Sequence, residues 1–178
     1  MVNPLARLLA SHGAVMHGDF VLASGARSAV YVDIKSALTD PGVLSAVALE
    51  IARRGNFGAV AGVAVGGVPL AVAVSLAAGK PYVIVRSGEK GHGAGGRIIG
   101  DVRGVPALLV EDVTTTGGSV LSAIRLLREA GATVDRVITV VDRQEGAGAS
   151  LAAEGVELIA LVTLAELVQE GEPYKKPE

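Results

Sequence analysis

Two adjacent carboxylates, Glu111 and Asp112, close an apolar run that begins at Ala107, and Val113-Thr114-Thr115-Thr116-Gly117-Gly118-Ser119 follows at once. The pattern predicts a buried strand, a Thr/Gly turn and then a helix over Val120–Ala130. The N–H groups of such a turn and of the helix start have no partners of their own. The helix dipole adds partial positive charge there, so the turn suits a phosphate group. The two acids would repel a phosphate, but they accept hydrogen bonds from sugar hydroxyls. Phosphate at one end and ribose at the other outline a sugar-phosphate site. An ordinary strand–turn–helix rarely needs two acids and three threonines in succession.

A second segment, Arg86-Ser87-Gly88-Glu89-Lys90-Gly91-His92-Gly93-Ala94-Gly95-Gly96-Arg97, combines glycines with Arg86, Lys90, His92 and Arg97. A mobile cationic loop of this kind can close over an anionic substrate and exclude water. On composition alone it is as well described as a flexible solvated hairpin. Gly91, Gly93 and Gly96 also satisfy the spacing of a dinucleotide fingerprint, with Glu111 further on. That reading fails on context, because Gly100, Gly104 and Pro106 leave no room for the helix it requires. Ile98–Val102 reads instead as a strand, so the loop joins two strands of a hairpin.

These residues need a scaffold, and the pattern predicts one. Asn3-Pro4 and Asp40-Pro41 are cap-plus-proline helix starts, closed by Gly13 and Gly55. Between those helices lie short strand-like runs at Phe20–Leu22 and Ala29–Ile34, separated by Ser24-Gly25. Strand and helix then alternate: Ala59–Val65, Pro69–Ala78, Tyr82–Arg86, Ala107–Val110, the helix to Ala130, Val134–Val141 and Val156–Leu161. A last helix is capped by Thr163 with Glu166 three residues later, a capping box. The alternation argues for an α/β domain with a mainly parallel sheet, in which ligands bind beyond the carboxyl ends of the strands. Three such ends carry polar or glycine-rich turns: Gly66-Gly67, Glu111–Ser119 and Asp142–Glu145.

Composition narrows the classes. The 178 residues fit one domain; half are apolar and only 3% aromatic, so the core must be built from Val, Ala, Leu and Ile. Sixteen basic against eighteen acidic residues leave no electrostatic footprint for nucleic acid or an anionic membrane. Without cysteine there is no disulfide, thiolate metal site or Cys nucleophile, which fits a cytoplasmic protein. Phe57–Ala78 is uncharged and long enough for a membrane span, but Gly66, Gly67 and Pro69 interrupt it; a strand, turn and helix buried in a parallel sheet explain it better. The N-terminal residues carry no basic region followed by an apolar stretch, the mark of a secretory leader. The charged tail Glu172–Glu178, with two prolines, is expected to fray.

Val110-Glu-Asp-Val-Thr-Thr-Thr-Gly-Gly-Ser119 resembles the 5-phosphoribosyl-1-pyrophosphate (PRPP) signature of type I phosphoribosyltransferases. Arg86 with Lys90-Gly-His92-Gly93 is similar to the mobile loop of the orotate phosphoribosyltransferases within that family. Phe20-Val-Leu-Ala-Ser24-Gly25 with Ser28-Ala-Val-Tyr31-Val-Asp33 resembles their N-terminal segment. Gly62-Val-Ala-Val-Gly66-Gly67-Val-Pro69 resembles their pyrophosphate loop, and Val141-Asp142-Arg143-Gln144-Glu145-Gly146 the segment that holds orotate. The matches follow one another in the right order over most of the chain. Three positions depart from the pattern. Ala23 and Ser87 stand where many members carry lysine, and Gly66 where some do.

The resemblance implies a type I phosphoribosyltransferase fold: a mainly parallel central sheet flanked by helices, a small N-terminal hood over residues 1–37 and a mobile β-hairpin loop. It implies transfer of ribose 5-phosphate from PRPP to orotate, giving orotidine 5′-phosphate and pyrophosphate in pyrimidine (UMP) biosynthesis. Lys90, His92, Glu111 and Asp112 are then the catalytic residues. PRPP is held by these four with Arg86, Gly66, Gly67, Val113, Thr114, Thr115, Thr116, Gly117, Gly118 and Ser119. Thr115, Arg143 and Tyr31 contact orotate, Arg143 by offering a guanidinium to its carboxylate. Mg²⁺ is the expected cofactor, bound mainly through PRPP and water, and a homodimer sharing the mobile loop is the expected assembly. Lys35 is a weaker candidate for charge at the pocket edge, while a lone Tyr31 in a strand is equally explained by packing; His12 and His17 are expected to be structural or exposed. Two other readings share the PRPP loop. A purine phosphoribosyltransferase would need neither Arg143 nor the Lys90–His92 loop, and a PRPP-sensing nucleic-acid-binding regulator should show the basic face this sequence lacks.

Overall fold

A computed structural model describes residues 3–21, 27–86 and 96–170. Ala23, the segment 87–95 with Ser87, Lys90 and His92, and the tail 171–178 lie outside the described residues.

The chain opens with α1 (Pro4–Ser11), where Asn3 caps the first turn by accepting from the Leu5 N–H at 3.1 Å. β1 (Val15–Val21) and β2 (Arg27–Val32) form a separate antiparallel pair, with a register shift between His17 and Phe20. A four-residue helix, α2 (Ile34–Ala37), and then α3 (Pro41–Ala52) follow. Both are capped by aspartates: Asp33 accepts from the Ser36 N–H, and Asp40 from the N–H groups of Gly42 and Val43. The alternation begins with β3 (Ala59–Val63), α4 (Gly67–Ala78) and β4 (Tyr82–Val85), α4 stopping at Gly79 in the left-handed region. After β5 (Ile98–Ile99) come β6 (Ala107–Thr114), α5 (Gly118–Glu129) and β7 (Arg136–Asp142). The described part ends with α6 (Ala147–Ala152), β8 (Glu157–Thr163) and α7 (Leu164–Glu170).

The main sheet has the order β5-β4-β3-β6-β7-β8, with every pairing parallel except β4–β5. From β3 the chain moves outward to β4 and then returns to place β6 on the other side of β3. Strand order therefore reverses between β3 and β6, and the crevice beyond their carboxyl ends is where an open α/β sheet binds its ligand. One face of the sheet packs Val60, Leu108, Val110 and Ile138 against α1, α3, α4 and α7. The other packs Ala61, Leu109 and Val137 against α5 and α6 through Ile124, Leu127 and Leu151. Burying a side chain such as Leu109 or Ile138 contributes about 1.5–3 kcal/mol.

The sequence reading and the structure differ at particular ends. β6 was expected to stop at Val110, with the acids beyond it; it runs on through Glu111 and Asp112 to Thr114, because β7 keeps pairing alongside, Val113 with Val141 and Thr114 with Asp142. β1 starts at Val15 rather than Phe20, since pairing with β2 overrides the poor alternation around Gly18 and Asp19. α4 begins at Gly67, two residues before Pro69, while β5 ends at Ile99 rather than Val102. The short helices α2 and α6 carry too few residues to show a helical period.

Candidate active site

Glu111 and Asp112 sit side by side near the end of β6, and as neighbours in a strand they point to opposite faces. Both are buried. The Asp112 carboxylate lies against Gly66, filling the space that a Cβ on Gly66 would need. The Lys35 ammonium approaches to 3.1 Å of Asp112 Oδ2. Glu111 Oε1 accepts from the Asp112 N–H at 3.2 Å. Burial pushes the Glu111 carboxyl up to about 9, and the adjoining Asp112 acts in the same direction, so Glu111 keeps its proton at neutral pH. The Asp112 charge in turn raises the Lys35 ammonium above its usual value.

The turn after β6 is shaped for an anion. Gly117 takes a left-handed conformation (φ 86°), and no side chain caps α5. The first N–H groups of α5 therefore face the crevice without intrahelical partners. The turn is fixed from the side: Arg143 N–H donates to Thr114 O at 2.9 Å, and Ala147 N–H donates to Thr115 O at 3.1 Å. Thr114 Oγ1, buried, donates to Asp142 Oδ1 at 3.1 Å, and that same oxygen accepts from the Gln144 N–H at 3.0 Å. The end of β7 is thus stitched to the end of β6. Asp142 and Gln144 as parts of this stitch were not anticipated, although an Asp two residues before a polar residue at a strand end is the signal of an Asx turn.

Arg143 pairs its Nη2 with Glu145 Oε1 at 2.8 Å, while its buried Nε has no partner. The guanidinium is held by Glu145 while its buried Nε–H is left unused. The turn after β3 depends on close approach instead: a Cβ on Gly67 would come within 2.7 Å of the Val110 carbonyl. Gly66 and Gly67 thereby bring the backbone at the start of α4 against β6. At the hairpin base the Arg86 N–H donates to Arg97 O at 2.8 Å, as the two-strand reading requires.

Gly66, Gly67 and the run from Glu111 to Ser119 therefore flank one crevice, with Arg143 anchored beside it. Arg86 roots the loop, while Lys90 and His92 are outside the described residues. Tyr31 stands apart in the two-stranded sheet, where its ring contact is with Phe20 at 5.6 Å between centroids. Lys35 gains weight, because α2 carries it directly to Asp112.

A switch-point crevice with a glycine turn after β3, an adjacent acid pair and an uncapped helix start at the end of β6, and a hairpin beside it fits a phosphoribosyltransferase. Residues 43–174 match the family model for the phosphoribosyl transferase domain. The orotate phosphoribosyltransferase of Methanoculleus marisnigri is 58% identical over 168 residues, which span 94% of this chain and 99% of that protein. The crystal structure of orotate phosphoribosyltransferase from Aeropyrum pernix superposes with a TM-score of 0.79 at 40% identity, over 93% of this chain and 97% of that one. That of the Mycobacterium tuberculosis enzyme in complex with PRPP gives 0.76 at 31% identity, over 92% and 96%. The chain belongs to the orotate phosphoribosyltransferases of the type I phosphoribosyltransferase family.

Proposed function

We propose that this protein transfers ribose 5-phosphate from PRPP to orotate, releasing orotidine 5′-phosphate and pyrophosphate in pyrimidine biosynthesis. The observation that carries the reading is Arg143. Its backbone is tied to the phosphate turn, its Nε is buried and unpartnered, and its guanidinium suits a planar carboxylate such as that of orotate. The 5′-phosphate rests on backbone groups of Thr114–Ser119 and on the hydroxyls of Thr115, Thr116 and Ser119. Glu111 and Asp112 accept from the ribose hydroxyls and lie near the positive charge that grows on the ribose ring as C1 separates from pyrophosphate. Gly66 and Gly67 let pyrophosphate approach the backbone, and Thr115 reaches the base. Arg86, Lys90 and His92 close over the leaving group and keep out the water that would hydrolyse PRPP.

The Asp112 carboxylate at the ribose position fits the usual Mg²⁺ arrangement of one or two carboxylates plus substrate oxygens. Mg²⁺ would arrive mainly with PRPP and water. Bound there, it would offset the negative charge developing on pyrophosphate. A homodimer would cover apolar side chains that are left exposed, Val65 and Leu76, each 80% exposed, and Tyr82. None of the described helices is long and apolar enough to cross a membrane.

The test is loss of orotate absorbance with purified protein, PRPP and Mg²⁺, with adenine, hypoxanthine and uracil as controls. Turnover of orotate alone is the expected result. Turnover of a purine would sink the base assignment and keep the phosphate turn. PRPP binding without turnover of any base would point to a sensor.

A further inference from the structure

Lys35 reaches the crevice from an element that neither the phosphate turn nor the mobile loop includes. Its helix α2 is only one turn long, yet it is clamped. Both Asp33 oxygens are engaged by Ser36, Oδ1 by the N–H at 3.0 Å and Oδ2 by the hydroxyl at 2.7 Å, and the side chains of Ile34 and Ala37 are buried. The Lys35 stem therefore leaves a fixed base. Its ammonium pairs with Asp112, whose side chain is 6% exposed, but the Lys35 side chain is itself 64% exposed. An ammonium has three donors, and this pairing occupies one. Two donors remain on this largely exposed side chain.

The turn after β3 lacks charge of its own. Val65, Gly66, Gly67 and Val68 carry no cation, and a side chain on Gly66 would run into the Asp112 carboxylate. Gly66 lies against both oxygens of that carboxylate, and Lys35 pairs with one of them, Oδ2. A pyrophosphate group resting on the Gly66–Gly67 turn would thus lie one carboxylate's width from a fixed ammonium.

We infer that Lys35 is a pyrophosphate-binding residue, bridging Asp112 to the leaving group of PRPP and supplying from α2 the cation that the glycine turn cannot carry. This rests on the PRPP reading above but is independent of which base is used. Asp112 keeps the ammonium charged and aimed, and it remains free through its other oxygen to accept from a ribose hydroxyl. The two roles are separable by ligand, since ribose 5-phosphate has the sugar and the 5′-phosphate without the pyrophosphate.

Calorimetric titration of the full chain with Mg²⁺-pyrophosphate and, separately, with ribose 5-phosphate tests this in the native protein, Lys35→Ala, Lys35→Gln and Lys35→Arg. A charge-assisted contact of this kind is worth roughly ten- to hundredfold in affinity. Lys35→Ala and Lys35→Gln should lose that factor for pyrophosphate and raise KM for PRPP similarly. Ribose 5-phosphate affinity and KM for orotate should stay within about twofold, and Lys35→Arg should recover most of the loss. Equal weakening of both ligands would reduce Lys35 to a prop for Asp112 and overturn the inference. So would unchanged pyrophosphate affinity in a native protein that turns over orotate. A native protein that binds pyrophosphate in a Lys35-dependent way but converts no orotate would overturn the base assignment alone. One that binds neither ligand would overturn both.

Discussion

After β3 the chain turns on Val65, Gly66 and Gly67, where the absence of side chains lets backbone meet backbone and the Asp112 carboxylate occupy the space beside Gly66. After β6 it turns on Thr115, Thr116 and Gly117, where hydroxyls, buried acids and a web of hydrogen bonds to the end of β7 do the shaping. The two turns face each other across the strand-order reversal and are built by opposite means. The first is defined by what must be missing, so any added atom is felt at once. The second is defined by what is present and shared among several bonds, so the loss of one is buffered by the others.

That contrast is broken most severely at Gly67. An added methyl would meet the Val110 carbonyl at 2.7 Å, and neither backbone segment can yield without moving the start of α4 away from β6. Gly67→Ala should therefore cut orotate turnover by roughly a hundredfold or more, on the scale of a misplaced reacting group. Steady-state kinetics check this, with melting temperature measured in parallel. Near-native turnover would show that the close approach is dispensable.

A smaller effect separates the buried acids from the turn they precede. Glu111 holds a proton in the folded chain up to pH of about 9, whereas an exposed glutamate releases it near 4.5. Between those values the folded state binds more protons than the unfolded one, so stability falls as pH rises through the window. The slope for one such group is at most about 1.4 kcal/mol per pH unit. Each kcal/mol moves the melting temperature of a chain this long by about 2–4 °C. Glu111→Gln keeps the shape without the titration, so the ligand-free variant should melt higher than the native protein at pH 8 and nearly level with it at pH 5. Parallel melting curves at both pH values would refute the buried proton.

The sequence made the scaffold and the β6 turn legible for the same reason: both rest on local pattern. Cap-plus-proline starts, glycine stops and apolar runs announced α1, α3, β3 and β6, and the Thr163–Glu166 capping box is present as expected, with Thr163 N–H to Glu166 Oε2 at 2.7 Å. The acids and threonines of the β6 turn are contiguous, so their chemistry could be read without a fold. What stayed hidden was non-local. The continuation of β6 through Glu111 and Asp112 depends on β7 lying alongside. The Lys35–Asp112 pair joins residues far apart in the chain, and nothing around Lys35 marks it apart from the Asp33 cap. The unused Arg143 Nε is likewise a property of packing, invisible in Asp142-Arg143-Gln144.

The smallest predicted effect tests how far the β6–β7 stitch is shared. Thr114 Oγ1 donates to Asp142 Oδ1, but that oxygen also accepts from the Gln144 N–H, and the Thr114 carbonyl is bound independently by Arg143 N–H. Thr114→Val removes only the hydroxyl from a buried, near-isosteric side chain and leaves Asp142 with its backbone partner. One such hydrogen bond is worth about 1 kcal/mol net, or about 2–4 °C in melting temperature for a chain of this length. Because Arg143 stays anchored through the Thr114 carbonyl, KM for orotate should change by less than about threefold. A rise of tenfold or more, at unchanged KM for PRPP, would mean that the hydroxyl rather than the backbone bond sets the position of Arg143. The β6 turn would then be as intolerant of single changes as the glycine turn across from it.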